Sequence, residues 1–391
     1  MGIISFLASW QFVLIFYVAL VLLIYKNREK FEFQGKVVAM YRTQIGIKAM
    51  QKLADRFRKP IIWLAYVGIV VGYLGMLVIL YFILLGMWNL IFVPNAPATL
   101  APVIPGVKIP GSPIFVPFWY GMLSIFIVIV IHEFSHGVVS KAHKIPVKNS
   151  GFVMFGPIPG AFVEPDEKEL KKRKPAVQNS LFAAGPFSNI ITALIILGVF
   201  AFAVNPFISN AFQPSGFNLV DVTDGLPASI AGLDTTTLYT HVGDIPVSGT
   251  AEFIQALEEL KPGETVLIGS EGSMNEVVAT EHPDDTEKGY IGVHCCTTQF
   301  TNQGFWLQFT LIILELLNWV FILSLGLGLA NLLPLGPVDG GRMYQLVCHK
   351  FFGKKKGDVI WAKTAFIMLA LIVILIFTPI LKASWQMLLA I

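Results

Sequence analysis

The sequence predicts an α-helical polytopic membrane protein with about six transmembrane helices and a small α+β domain inserted late in the chain. Three observations predict this class. Of the 391 residues, 55% are hydrophobic and only 14% are charged, whereas soluble domains carry about 25% charged residues. The apolar residues occur in long blocks of the length that crosses a bilayer. One stretch, around residue 250, is instead polar and acidic.

Six blocks are apolar enough to cross a membrane as helices. They cover residues 6–25, 61–84, 113–140, 181–204, 307–331 and 359–381. We expect the first block to be a retained span rather than a cleaved signal peptide, because no basic residue precedes it.

The basic residues predict how these spans are oriented. Residues 26–60, 141–178 and 342–363 hold ten, eight and six of the 28 Lys and Arg residues. Six spans place all three segments on one face, which the positive-inside rule identifies as cytoplasmic. Both termini, the loop 94–112 and residues 205–306 are then expected on the other face.

Residues 212–298 have the composition of a soluble domain. They hold 14 of the 25 acidic residues and only two lysines. Short apolar runs ("NLVDV", "TVLIG" and "YIGVH") predict strands, and residues 251–260 have apolar positions at helical spacing before a Pro-Gly stop. This pattern predicts a small α+β domain.

The segment 145–178 contains a second β pattern. Two β-prone runs, Phe152–Phe155 and Ala161–Val163, flank a Gly-Pro turn, which predicts a hairpin next to the membrane. The "KKRK" sequence that follows either attracts anionic lipid headgroups or belongs to a solvated surface loop.

The third span carries three ionisable residues in an apolar run. His132 and His136 are four residues apart in a predicted helix, so both project from one face and can share a metal ion. Glu133 lies on the adjacent face, where it can take a proton from an attacking water and pass it to the leaving amine. The alternative is structural, with hydrogen-bonded histidines and a water-facing glutamate. That alternative is costly, since an ionised group at mid-bilayer costs about 2.5–3.5 kcal/mol.

A hydrolytic zinc site needs a third protein ligand and an open position. Asp339, in "NLLPLGPVDGGR", lies at the predicted cytoplasmic end of the fifth span. The third span also ends on that side, at His136, so the two residues are expected at a similar depth in the membrane. The prolines and glycines around Asp339 predict irregular backbone, which is tolerated at membrane depth only where it is buried or lines a wet cavity. The alternative is that Asp339 caps the following helix.

The fourth span contains the element "AAGPFSN". Gly185 and Pro186 predict a helix start beside tight packing. Asn189 can donate hydrogen bonds inside the membrane, either to an oxyanion on the attacked carbonyl or to a substrate strand. An ordinary hydrogen bond between helices is the alternative.

These three elements occur in this order on successive spans and resemble the motifs of the site-2 protease family of intramembrane metalloproteases. The resemblance implies that His132, His136 and Asp339 hold Zn2+ and that Glu133 is the catalytic acid and base. It covers roughly residues 113–345.

The resemblance also implies substrate-facing roles for Asn189 and Asn331. The usual Leu before the Asp-Gly pair is Val338 here, a change that leaves the expected ligand in place.

The inserted domain resembles a PDZ domain of the protease-associated kind, on "DGLPASIAGL", "VGDIPVSG" and "KPGETVLI". Such domains bind peptides by strand addition or act as a size filter. We therefore expect four regions. They are 1–112 with two spans and a basic cytoplasmic loop, 113–211 with the first half of a protease core, 212–298 as the PDZ-like domain, and 299–391 with the second half of the core and the last span.

The expected function is a zinc metalloendopeptidase that cuts within transmembrane segments of substrate proteins. The expected partners are those substrates, the lipid bilayer and a peptide ligand of the PDZ-like domain, with no nucleic acid. The chain is expected to be multi-pass in the cell membrane, with the active site near the cytoplasmic side and the PDZ-like domain on the outside.

Three other functions are weighed against this one. A membrane-anchored zincin acting on soluble or damaged proteins would use a later Glu as ligand, and residues 342–358 contain none. A non-catalytic PDZ-bearing scaffold with a structural metal needs a fourth ligand, and none is visible. A transporter would more often show repeated halves, and no repeat is present.

Overall fold

A computed structural model describes residues 9–34, 38–93, 98–109, 112, 114–155, 158–207, 214–270, 272–283, 285–293, 296–300 and 305–389. The chain forms two compact units. The first comprises residues 1–197 and 314–391, and the second comprises residues 198–313. The predicted insert 212–298 lies within the second unit.

Long apolar helices dominate the first unit. Among the described residues, five are long and apolar enough to cross a membrane: 58–92, 118–142, 175–207, 308–330 and 339–382. A shorter apolar helix, Trp10–Lys26, has 17 residues and is about 26 Å long. Its predicted start near residue 6 lies outside the described residues. Five such helices are compatible with a polytopic membrane protein, and the expected count of six spans stays a prediction.

The helices are numbered in chain order. They are α1 (Trp10–Lys26), α2 (Ile47–Arg56), α3 (Arg58–Phe92), α4 (Phe118–Ala142), α5 (Glu167–Lys171), α6 (Pro175–Val199), α7 (Pro227–Ile230), α8 (Thr250–Leu257), α9 (Phe305–Ala330) and α10 (Asp339–Leu389). A short 3-10 turn covers Arg28–Lys30, and α6 continues as a π-helical turn over Phe200–Val204. The backbone of α10 is broken at Gly353, where φ is 70°.

A four-stranded antiparallel sheet accompanies the helices of the first unit. Its strands, in spatial order, are β1 (Glu32–Gln34), β2 (Val38–Thr43), β3 (Val147–Phe155) and β4 (Ile158–Pro165). The predicted hairpin is confirmed as β3 and β4, with Ser150 opposite Val163, whereas its Gly-Pro turn at 156 and 157 lies outside the described residues. The sequence of residues 26–60 predicts no strand, yet β1 and β2 from this segment form half of the sheet.

The amphipathic helix α2 follows β2 and packs on α4. The side chain of Met50 fills the space beside Gly137, where an added Cβ would lie only 2.4 Å from its sulfur. Arg58 Nε donates a hydrogen bond of 2.8 Å to the carbonyl of Ala142 at the end of α4. These contacts hold α2 and the start of α3 against the helix that carries the two histidines.

Helix α6 begins at Pro175, ten residues before the predicted start at Gly185 and Pro186. Proline suits a first helical position because its missing N–H has no partner there anyway. Pro186 therefore lies inside the helix, and Gly185 is an interior position whose small size serves close packing rather than a helix start.

The second unit is an α+β domain. Its remaining strands are β5 (Pro214–Leu219), β6 (His241–Val242), β7 (Ile245–Pro246), β8 (Thr265–Ser270), β9 (Ser273–Val278), β10 (Thr280–His282), β11 (Asp285–Tyr290) and β12 (Cys296–Phe300). They pair as β7-β6-β8-β9, β10-β11 and β12-β5. Phe217 is fully buried and stacks on Phe253 of α8 at 4.2 Å between ring centroids. The predicted helix 251–260 and the strand at "TVLIG" match α8 and β8.

Candidate active site

Helix α4 holds both histidines of the HExxH sequence on its buried face. From Phe118 to Ala142 it contains no proline, so the helix runs unbroken through the motif. His132 and His136 are 5% and 7% exposed. The Nδ1–H of His136 donates to the carbonyl of Leu181 on α6 at 2.8 Å. With its proton on Nδ1, the ring keeps the lone pair of Nε2 for a metal ion.

Asp339 reaches the histidines because the chain folds back after α9. The amide of Gly340 donates to the carbonyl of Asn331 at 2.7 Å. A Cβ at Gly340 would lie 2.2 Å from the backbone of Leu332, and one at Gly341 would lie 2.3 Å from the carbonyl oxygen of Leu335. Only glycines fit this close approach. Asp339 is also the first residue of α10, so it both begins a helix and faces the histidines.

Three ligand atoms from two histidines and one aspartate form a small triangle. The distance from His132 Nε2 to Asp339 Oδ2 is 3.1 Å. The corresponding distances are 3.3 Å from His136 Nε2 to Oδ2 and 3.2 Å between the two Nε2 atoms. Ligands at about 2.0–2.1 Å from a tetrahedral zinc ion lie about 3.3 Å apart. The donor set and its spacing therefore fit one face of a zinc tetrahedron.

Asn189 of α6 contacts the far side of the His132 ring. It is fully buried, and its amide nitrogen lies 3.1 Å from His132 Nδ1. Its oxygen has no hydrogen-bond partner in the described part of the chain. Rotating the amide by half a turn satisfies that oxygen with the His132 Nδ1–H and leaves Nε2 unprotonated. The contact between Asn189 and His132 is a hydrogen bond between two helices, which is the alternative that the sequence left open. The oxyanion or substrate role of Asn189 stays a prediction.

Gly185 makes room for both histidines. A Cβ at this position would lie 2.4 Å from each of the two Nε2 atoms. That is little more than a zinc–nitrogen bond of about 2.0–2.1 Å. The sequence predicts tight packing at Gly185, but it does not predict that the two imidazoles are the neighbours of this residue.

Glu133 lies beside the triangle and contacts the sheet. Its Oε2 accepts a hydrogen bond of 2.9 Å from the backbone N–H of Val163 in β4. This residue is half-buried, and the open edge of β4 runs past it. A carboxylate next to a metal position and next to an open strand edge can exchange a proton with a water and with a leaving amine. No feature of the sequence pointed to the contact between Glu133 and Val163.

The model of Peptidase family M50 matches residues 120–375, which include the histidines and the aspartate of the triangle. The chain belongs to peptidase family M50. This is the site-2 protease family, so the resemblance seen in the sequence is confirmed, and the chain is a membrane metalloprotease of a zinc-dependent family.

Among the relatives of this M50 protein, one is uncharacterized and two are named proteases. The chain is 24% identical to the uncharacterized protein MJ0971 of Methanocaldococcus jannaschii over 84% of this chain and 83% of that protein. It is 29% identical over 107 residues to the zinc metalloprotease RasP of Bacillus licheniformis and to the regulator of sigma-W protease RasP of Bacillus subtilis. The matched stretch spans 26% of this chain and about a quarter (24%) of each RasP protein.

Asn331 is placed differently from the other candidate residues of this M50 core. Its side-chain amide donates to the carbonyl of Leu327 in the last turn of α9 at 3.1 Å, and its backbone carbonyl accepts from the Gly340 amide. Within the described residues, no hydrogen bond joins its side chain to the triangle. Its substrate-facing role stays a prediction.

Proposed function

We propose that this chain is an intramembrane zinc endopeptidase that hydrolyses peptide bonds within transmembrane segments of other proteins. The observation that carries the proposal is the triangle of His132, His136 and Asp339, with Glu133 beside it, on helices long enough to cross a membrane. A set of three protein ligands with a free fourth position is the arrangement of catalytic rather than structural zinc.

Each residue of the site has one task in this reaction. His132, His136 and Asp339 would hold the ion, which when bound would supply Lewis acidity and lower the pKa of water to about 7. Glu133 takes one proton from the attacking water on its carboxylate and passes it to the amine that leaves. Asn189 and the carbonyl of Leu181 fix the two imidazoles so that both Nε2 atoms face the ion.

We further propose that substrate binds as an added strand on the open edge of β4. A helical peptide bond is shielded by its own hydrogen bonds, so a substrate helix has to unwind before cleavage. An extended segment then finds ready hydrogen-bond partners along β4, next to Glu133. Helix-weakening residues in the substrate should therefore favour cleavage.

The orientation in the cell membrane is part of the same proposal. The distribution of Lys and Arg supports an active site near the cytoplasmic side and a PDZ-like domain, residues 212–298, outside. That domain would bind a peptide or limit substrate size. Cysteine labelling in intact cells at Lys354 and at Lys261, each replaced by Cys, tests the orientation, and equal labelling from outside would refute it.

Two variants test the enzymatic proposal. Purified Glu133→Gln should keep its zinc and lose cleavage of a reconstituted transmembrane substrate, because the amide cannot accept the water proton. Asp339→Ala should lose zinc as well as cleavage. Turnover near the wild-type rate in Glu133→Gln would refute its role as the base. Equal zinc content in wild type and Asp339→Ala would remove Asp339 from the ligand set.

A further inference from the structure

The open edge of β4 is already occupied at one position by Glu133. Strand β4 is the last strand of its sheet and pairs only with β3 among the described strands. The N–H of Val163 donates to Glu133 Oε2 at 2.9 Å. The residue proposed as the base is therefore held by the same edge that would receive the substrate.

Strand geometry shows which other groups share this edge. In an antiparallel strand the N–H and C=O of one residue point to the same side, and successive residues alternate. Val163 lies opposite Ser150 of β3, and its N–H points away from β3 toward α4. The N–H and C=O of Ala161, two residues earlier, face the same open side. An added strand would need the N–H of Ala161 and of Val163.

The strand itself is held firmly, so the side chain of Glu133 is the part that can move. Glu164, next to Val163, accepts hydrogen bonds from Asn149 at 3.1 Å and from Arg42 at 3.3 Å. Arg42 belongs to β2, so these bonds tie β4 across β3 to the far half of the sheet. A glutamate side chain changes rotamer far more easily than a strand paired along its length.

We propose that the bond between Glu133 and Val163 is a latch that substrate releases. One N–H cannot serve a substrate carbonyl and a carboxylate equally well, so a strand added at β4 displaces Glu133 from Val163. The freed carboxylate is then available to the attacking water. The inference rests on the proposed strand addition, and it makes the base available only when an extended segment lies on β4. Unwinding and catalysis are thereby coupled.

Peptide binding separates the latch from a simple structural contact. The probe is a fluorescein-labelled, uncharged ten-residue peptide rich in Val and Thr, and its affinity for full-length protein in nanodiscs is measured by anisotropy. Glu133→Gln keeps an oxygen that accepts from Val163, whereas Glu133→Ala removes it. We expect Glu133→Ala to bind the peptide about three- to tenfold more tightly than Glu133→Gln, the range of one net hydrogen bond.

Two proline variants supply the controls, because proline lacks the N–H and is tolerated on an open strand edge. Val163→Pro should weaken peptide binding and abolish the difference between the two Glu133 variants. Ala161→Pro should weaken binding equally but preserve that difference. If neither proline weakens binding, strand addition is wrong. If both weaken it while the two Glu133 variants bind alike, strand addition stands and the latch alone is refuted.

Hydrogen exchange gives a readout that needs neither activity nor a proline variant. The Val163 amide should be protected in the free wild-type protein, lose protection at least tenfold in Glu133→Ala, and regain it when the peptide binds. Equal exchange at Val163 in wild type and Glu133→Ala would overturn the proposal.

Discussion

Replacing Gly185 by alanine should disable zinc binding while leaving the fold intact. The added methyl carbon would lie 2.4 Å from the Nε2 atoms of both His132 and His136. Ordinary contacts between such atoms are about 3.5 Å, so the neighbours would have to move by roughly 1 Å. Neither ring can move freely, because each is held through Nδ1 by Asn189 or by the carbonyl of Leu181.

The magnitude follows from that displacement. Metal ligands have to stay within about 0.2 Å of their coordination distances, and a displacement of about 1 Å at a catalytic group costs about a hundredfold in rate. We therefore expect at least a hundredfold loss of zinc affinity in Gly185→Ala. Overpacking should cost about 1–3 kcal/mol of stability, partly offset by about 1 kcal/mol of helix propensity.

The assay is zinc content by mass spectrometry after dialysis against a graded series of chelator concentrations, with a thermal unfolding curve on the same sample. Gly198→Ala is the matched control, since Gly198 lies in the same helix and an added Cβ there would meet no atom of the described residues within 4 Å. The control should hold zinc as wild type does. Zinc retention by Gly185→Ala at the same chelator concentration as the control would refute the predicted clash with the two imidazoles.

Three further predictions concern other parts of the molecule. Asn189→Ala should lower zinc affinity about 10–100-fold, because the variant loses the hydrogen-bond partner of a ligating histidine. Competition with a chromophoric chelator measures this affinity, and a wild-type value would exclude a role for Asn189 in fixing His132. Gly137→Ala should lower the unfolding temperature by overpacking Met50. Because the two residues are in contact, the loss in the double variant with Met50→Ala should be smaller than the sum of the two single losses; additive losses would contradict the contact. Hydrogen bonds from Thr236 and Thr237, first from the Thr236 hydroxyl, hold the pKa of the Asp234 carboxyl below the ordinary 3.8. The stability that this carboxylate adds is therefore present above that value and is lost as pH falls through the lower folded pKa. Asp234→Asn should flatten the pH dependence of amide exchange in the 198–313 unit between about pH 5 and 3. An unchanged profile would show that the Asp234 carboxylate does not add this stability.

The sequence predicts those features that depend on local composition. Apolar blocks of about 20 residues gave spans that agree with the long helices to within a few residues at most ends, since burial in lipid needs little tertiary information. The spacing of His132 and His136 predicts a shared face because a helix repeats every 3.6 residues. The sequence around Asp339, together with the third and fifth spans ending on the same side of the membrane, predicts that this residue lies near the histidines.

The remainder depends on contacts between distant parts of the chain. Residues 38–43 pair with residues 150–155, more than a hundred positions later, and no local pattern announces such a partner. The predicted start of α6 at Gly185 and Pro186 is wrong. A Gly-Pro pair normally marks a helix terminus, whereas here it lies inside a helix beside the histidines. The bond from Val163 to Glu133 likewise needs the sheet and α4 in their final places.

Strands β1 and β2 affect where the chain can be shortened without loss of the fold. The M50 match begins at residue 120, yet β1 and β2 come from far upstream and cover the outer side of β3. A truncated chain starting near residue 113 would keep every proposed catalytic residue but expose a second row of unpaired amide groups, a template for aggregation. A stable shortened version is therefore expected to be larger than the region that carries the proposed catalytic residues, and it should retain the N-terminal strands.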